Sequence, residues 1–177
     1  MKKIILLAIM ITLGPITMSA QSFGIKAGVN FADLNGSDAE GLDSYTSFHF
    51  GVLKEWVIFD NLSLQPELLY STQGAKVDGT DDKFKLNYIN LPIVLKFYLT
   101  DAFSIHAGPQ FGLLLGETEN VLPIDTKTFE YGGAFGVDYA LSNNFFVQGR
   151  YNPGFSEIAD EVDIKNSVIQ ISLGVTF

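Results

Sequence analysis

The sequence predicts an all-β protein: eight antiparallel strands closed up-and-down into a barrel, preceded by a cleavable export segment. Three observations predict it. Apolar and polar residues alternate with period two from about residue 21 to the last residue, and no stretch carries a helical period. The connections between alternating runs go long, short, long, short along the chain. The apolar tracks are rich in Phe, Tyr and branched residues, whereas the opposite tracks hold Gly, Ser, Gln and charges. Alternation alone does not choose the inside face. The size of the aromatics and the export segment choose lipid for the apolar face, so an eight-stranded transmembrane β-barrel with a narrow polar lumen is expected.

The export segment comes first. Met1-Lys2-Lys3 is followed by an apolar run from Ile4 to Ile16 and then by Thr17-Met18-Ser19-Ala20. A positive start, a short apolar stretch and small exit residues mark a signal peptide over residues 1–20, cut between Ala20 and Gln21. The run is shorter than the ~20 residues of a membrane-spanning helix. With no cysteine anywhere, a lipid anchor at the cut, a disulfide framework and a thiolate metal site are all excluded. Residues 21–177 then form one barrel domain. Losing Lys2 and Lys3 takes the net charge from −9 to −11. So acidic a chain is a poor match for nucleic acid.

The strands follow in order. The first sets Phe23, Ile25, Ala27, Val29 and Phe31 against Gly24, Lys26, Gly28 and Asn30. Further strands are expected near 46–58, 62–74, 84–99, 102–115, 128–141 and 145–155. The last sets Ile169, Ile171, Leu173, Val175 and Phe177 against Gln170, Ser172, Gly174 and Thr176. The long connections are 32–45, 75–83, 116–127 and 156–165. The short ones carry turn residues: Asp60-Asn61, Thr100-Asp101 and Ser142-Asn143-Asn144. Outer-membrane barrels have short periplasmic turns and longer outer loops, and an even strand number leaves both termini periplasmic. Trp56, Phe59, Phe97, Tyr98, Phe103, Tyr139 and Phe145 lie near the short turns, where an interfacial aromatic girdle is expected.

Some residues resist this pattern. Lys54 falls on a lipid-facing track, where a cation costs ~2–4 kcal/mol at the midplane and ~0–1 kcal/mol near the interface. Snorkelling beside Trp56, or a bulge that turns it inward, would accommodate it. The fourth strand changes phase near Tyr88-Ile89, which suggests a bulge. Pro66, Pro92 and Pro109 each forfeit a ladder hydrogen bond, and local bulges are expected there.

Leu64-Gln65-Pro66-Glu67-Leu68-Leu69-Tyr70-Ser71-Thr72-Gln73-Gly74 resembles the third strand of a barrel family common in Bacteroidetes, the PorT-like or "porin family" outer-membrane β-barrels. Tyr88 to Phe97, Ala107 to Gly112, and Arg150-Tyr151 with Gly154 to Ile158 resemble its later strands. The resemblance covers the whole mature chain. It implies an outer-membrane location, makes the strand prolines family features and carries over no catalytic set. A PorT-like affiliation would further imply a role in secretion or assembly. The "porin" label implies no channel here, because eight strands enclose a space that side chains fill. The terminal Phe177 resembles the signal read by the outer-membrane insertion machinery, an expected partner besides outer-membrane lipid.

Candidate chemistry is sparse. His49 and His106 face the lumen, with Ser47 and Ser104 two residues away. Interior structural histidines are the expectation, with no catalytic, cofactor or metal site. The lumen tracks carry Glu55, Glu67, Glu130 and Asp138 with Lys26, Lys96 and Arg150, and near-balance in a narrow interior points to a structural ion-pair network. The alternative is a selectivity ring. The turn at Ser142-Asn144 predicts partners whose numbers sum to about 286. That places Asp138 opposite Gln148 and Gly136 opposite Arg150, with Arg150 reaching Asp138 over Gly136.

Fourteen of the twenty acidic residues fall in the four long connections: Asp33, Asp38, Glu40, Asp43, Asp78, Asp81, Asp82, Glu117, Glu119, Asp125, Glu157, Asp160, Glu161 and Asp163. A solvated outer face is the plain reading, and a basic partner or weak divalent-cation binding the sharper one. Val77 to Asp82 lacks the full ligand spacing of a calcium loop. The expected function is therefore non-enzymatic: a structural or interaction barrel. A narrow solute or ion pore, and a soluble lipocalin-like binder of apolar ligands, are the alternatives.

Overall fold

In the computed structural model the alternation becomes a closed antiparallel ladder of eight strands, each paired with its sequence neighbour and the last with the first. The strands are β1 (Gln21–Asn35), β2 (Leu42–Phe59), β3 (Leu62–Val77), β4 (Lys83–Tyr98), β5 (Phe103–Glu117), β6 (Phe129–Ala140), β7 (Phe145–Ala159) and β8 (Val162–Thr176). The structure describes residues 21–177 except 38, 40, 78–82, 118–125 and 160–161. The expected signal peptide and the acids Asp38, Glu40, Asp78, Asp81, Asp82, Glu119, Asp125, Asp160 and Glu161 lie outside the described residues. So does most of the faintly calcium-like segment.

Outward residues are the apolar ones. Phe135, Val137 and Tyr139 on β6 and Ile169, Ile171 and Leu173 on β8 are all about half exposed or more, whereas Asp138, Arg150 and Gln170 are buried. Such a surface is unstable in water and stable in hydrocarbon, and closure leaves no strand edge unsatisfied. Closure runs through β1 and β8, where Gly28 pairs with Ser172 and Asn30 with Gln170.

The strands at the end opposite the short turns are longer than the alternation predicts. β1 runs to Asn35, β2 starts at Leu42, β3 runs to Val77, β7 reaches Ala159 and β8 begins at Val162. Much of the chain expected as loop is therefore ladder. Inside this overhang Leu34, Ala75, Phe84, Leu86, Tyr88, Ile158 and Ile164 pack as one buried cluster. An apolar interior is what a barrel needs where its wall projects beyond lipid, because burial there draws on the ordinary hydrophobic effect.

The expected proline bulges are absent. β3 and β4 pair at Pro66↔Ile93 and again at Leu69↔Asn90 in the same register. β4 and β5 pair at Pro92↔Gln110 and again at Leu95↔Ala107, also unshifted across Pro109. Each proline removes one donor, so the ladder skips without slipping. The irregularities fall elsewhere: between Ser44 and His49, between Val57 and Phe59, between Asn87 and Tyr88, and beyond Pro153. The third sits where the fourth strand was expected to change phase. Lys54 is not turned inward, because β2 and β3 keep one register from Leu53↔Glu67 to Trp56↔Leu64. Its ammonium lies 5.2 Å from the centre of the Trp56 ring. Tyr98 leaves the expected girdle and points its hydroxyl into the lumen mouth, where it donates to Glu55.

Candidate functional site

Eight strands bring opposite walls within side-chain reach, so among the described residues the lumen is where chemistry-bearing side chains converge. At the periplasmic mouth, Lys96 lies 3.3 Å from Glu55 and sits over the rings of Tyr98 and Phe146. A cavity of about 460 Å³ opens there, lined by these residues with Ser104, Asp138 and the turn at Ser142-Asn144.

Above the mouth, Glu67 is the hub. Arg150 grips its carboxylate with both terminal nitrogens, at 2.8 and 2.6 Å, and Lys26 approaches to 2.7 Å. All three side chains are fully buried. Lys26 also donates to Gln148 at 2.6 Å. The Arg150 Nε–H donates at 3.0 Å to His106 Nε2, and His106 Nδ1 lies 2.7 Å from Asp138. Asp138 accepts a further bond from Gln148 at 2.7 Å. An Nε2 that accepts from arginine fixes His106 as the Nδ1–H tautomer, donating to Asp138. Neither nitrogen of the His106 ring is left for Ser104. His49 does bond a serine, Ser172 at 2.8 Å, with Asn30 at 2.7 Å on its other nitrogen, whereas Ser47 donates to the Thr72 carbonyl.

The predicted register holds, with Asp138 opposite Gln148 and Gly136 opposite Arg150. The predicted contact does not. Arg150 reaches across the lumen to β3 instead of along the wall to Asp138, and His106 stands between the two. Gly136 makes room for that imidazole, because a Cβ there would lie 2.7 Å from two of its ring atoms. β7 and β3 are four strands apart in an eight-strand ring, so they face each other across the lumen. Of the seven charged lumen candidates, Lys26, Glu67, Arg150 and Asp138 meet in this cluster and Lys96 and Glu55 at the mouth. Glu130 stands apart, hydrogen-bonded to Tyr88 and Asn166.

Between these charges and the apolar cluster lies a layer of amides. Asn30 bonds Ser71 and the carbonyls of Phe48 and Thr72, and Gln170 donates to Asn30. Sequence reading passed over this layer, since Asn, Gln and Ser on an inward track read only as polar. One test of the hub is Arg150→Lys. A lysine cannot hold both Glu67 oxygens and His106 together. Urea unfolding in detergent, followed by Trp56 fluorescence, should show a loss of about 1.5–3 kcal/mol.

Solved structures share this architecture. Neisserial surface protein A matches with a TM-score of 0.61 and 17% identity, covering 90% of this chain and 100% of its own. Ail, the attachment invasion locus protein of Yersinia pestis, matches at 0.56 and 13%, with 90% and 100% covered. The outer membrane protein OprG of Pseudomonas aeruginosa matches at 0.52 and 15%, with 89% and 96% covered. No curated protein matches the sequence. At these identities the neighbours speak for the fold alone. The family model for the outer membrane protein beta-barrel domain matches residues 19–160. With its outward apolar wall, the chain belongs to this outer membrane β-barrel family and resides in the bacterial outer membrane.

Proposed function

We propose that the protein is a non-enzymatic barrel with a closed lumen, and that it works through its acidic outer end as an adhesion or interaction surface for a basic partner. One observation carries the closed lumen: Glu67 is bound from β1 and β7 at once, and an apolar cluster fills the space above it. An ion would have to break a buried, fully paired carboxylate and then cross hydrocarbon. His106 bonds no serine, and His49 with Ser172 is buried away from any substrate, which speaks against hydrolytic chemistry; an outward apolar face speaks against a soluble lipocalin-like carrier. The third-strand motif supports a place among the PorT-like barrels, with a secretion- or assembly-associated role as the second form of the same reading.

Charge indicates the sign of the partner. The outer end holds fourteen acidic residues in sequence against Lys76, Lys83, Lys85, Lys127 and Lys165. One Ail structure is a complex with a heparin analogue, sucrose octasulfate. A polyanion of that kind would meet repulsion here. Protein in lipid nanodiscs should bind a polylysine surface and ignore heparin, and the binding should fall in high salt. Combining Asp33→Asn, Asp43→Asn, Glu157→Gln and Asp163→Asn should weaken it. Equal binding to both surfaces would sink the interaction reading. In planar bilayers no steady conductance is expected, and reproducible ohmic steps abolished by Glu67→Gln would replace the closed lumen with a pore.

A further inference from the structure

Lys54 stands out on the lipid-facing wall. Among the described residues it is the one cation on the outward face of the apolar band, and no carboxylate there lies within ion-pair distance of it. Its nearest charge-compensating neighbour is the face of the Trp56 ring, at 5.2 Å. It sits low on the wall: Lys54 pairs with Phe23, whose carbonyl accepts from the backbone N–H of Phe177 at the periplasmic rim.

The wall around Lys54 is grooved. A cavity of about 410 Å³ runs beside it, lined by Phe23, Val52, Trp56, Leu64, Pro66 and Leu68 among others. Pro66 forms the floor, because its compact ring sits between the larger Leu64 and Leu68 on the same outward track. An apolar trough with one unpaired ammonium and an interfacial tryptophan combines the recognition elements of an acyl chain with those of a phosphate. In the periplasmic leaflet the anion at that depth is the phosphate of a glycerophospholipid.

We propose that this groove is a specific phospholipid site, with the lipid phosphate on the Lys54 ammonium and one acyl chain laid over Pro66 toward the bilayer centre. The ammonium acts as a point charge with three donors, so arginine should substitute and glutamine should not. The apolar walls contribute affinity without selecting the headgroup.

Native mass spectrometry of the folded full chain, released from nonionic detergent, provides the test. With dioleoylphosphatidylglycerol as probe, one lipid should be retained per barrel. Dioleoylglycerol, which has the same chains and no phosphate, should be retained about tenfold less. Lys54→Gln should lower phosphatidylglycerol retention about tenfold, Lys54→Arg should preserve it, and Leu68→Ser should weaken both lipids alike. Heat-modifiable mobility on a gel shows that each variant is folded. Undiminished retention by Lys54→Gln, or equal retention of the phosphate-free lipid, overturns the site. Displacement by millimolar inorganic phosphate also overturns it, since the site would then bind a free anion.

Discussion

Glu67→Ala is expected to cost about 3–5 kcal/mol of stability, the largest loss from any single side chain in the lumen. Removing Glu67 leaves the Lys26 ammonium and the Arg150 guanidinium facing one another, both fully buried and both stripped of their main counter-ion. Neither can retreat to water, because His106, Asp138 and Gln148 lie between the hub and the mouth, and the amide layer and the apolar cluster close the lumen above. The loss should appear as a lower urea midpoint in detergent micelles, followed by Trp56 fluorescence and by heat-modifiable mobility. Replacing all three, as Lys26→Met, Glu67→Leu and Arg150→Met, should restore much of it, because well-packed apolar groups avoid the desolvation penalty of buried charge. A single variant within 1 kcal/mol of wild type would show that water reaches the hub, and the closed lumen would fail with it.

Gly28→Ala is expected to impair closure itself. A Cβ at this position would lie 2.0 Å from the Ile171 carbonyl oxygen, 2.7 Å from the Ser172 Cα and 2.8 Å from the His49 ring. Two of these three neighbours are backbone atoms of β8, so relief requires β1 and β8 to part at the seam that closes the barrel. Overpacking commonly costs about 1–3 kcal/mol, and a contact made by backbone should fall at or above the top of that range. The folded, heat-modifiable fraction after refolding into detergent should drop sharply. Gly116→Ala, which meets nothing within 4 Å, should refold like the parent within about 0.5 kcal/mol. Normal refolding of Gly28→Ala would mean that the seam has slack the packing does not show.

Much of this architecture was legible because a strand's two faces are written in its sequence. The tracks of β1, β5 and β6 each separate cleanly, and the register of β6 and β7 follows from the length of one turn. What lay across the lumen was not legible. Turn arithmetic relates adjacent strands, whereas Arg150 and Glu67 sit on opposite walls, 83 residues apart in the chain. His106 read as an isolated interior histidine, yet it separates Arg150 from Asp138. The overhang was missed for a different reason. The greasy side inverts where the outer face meets water: Asp33 and Asn35 continue the outward track as polar residues while Ala32 and Leu34 turn inward, although the backbone ladder continues. The prolines misled because loss of one donor was read as a change of register.

The apolar cluster inside the overhang has a consequence for how such a protein changes over generations. Leu34, Phe84, Leu86, Ile158 and Ile164 complete the interior on strand residues alone, before any connection begins. Among the described residues, the cluster therefore draws all of its members from strands. Substitutions outside the strands could accumulate while this part of the wall stayed as it is. A foreign peptide displayed on this barrel would therefore have to spare residues 126–128, where Thr126 bridges Ala159, Lys127 donates to the Ile158 carbonyl and the Leu114 N–H donates to the Thr128 carbonyl.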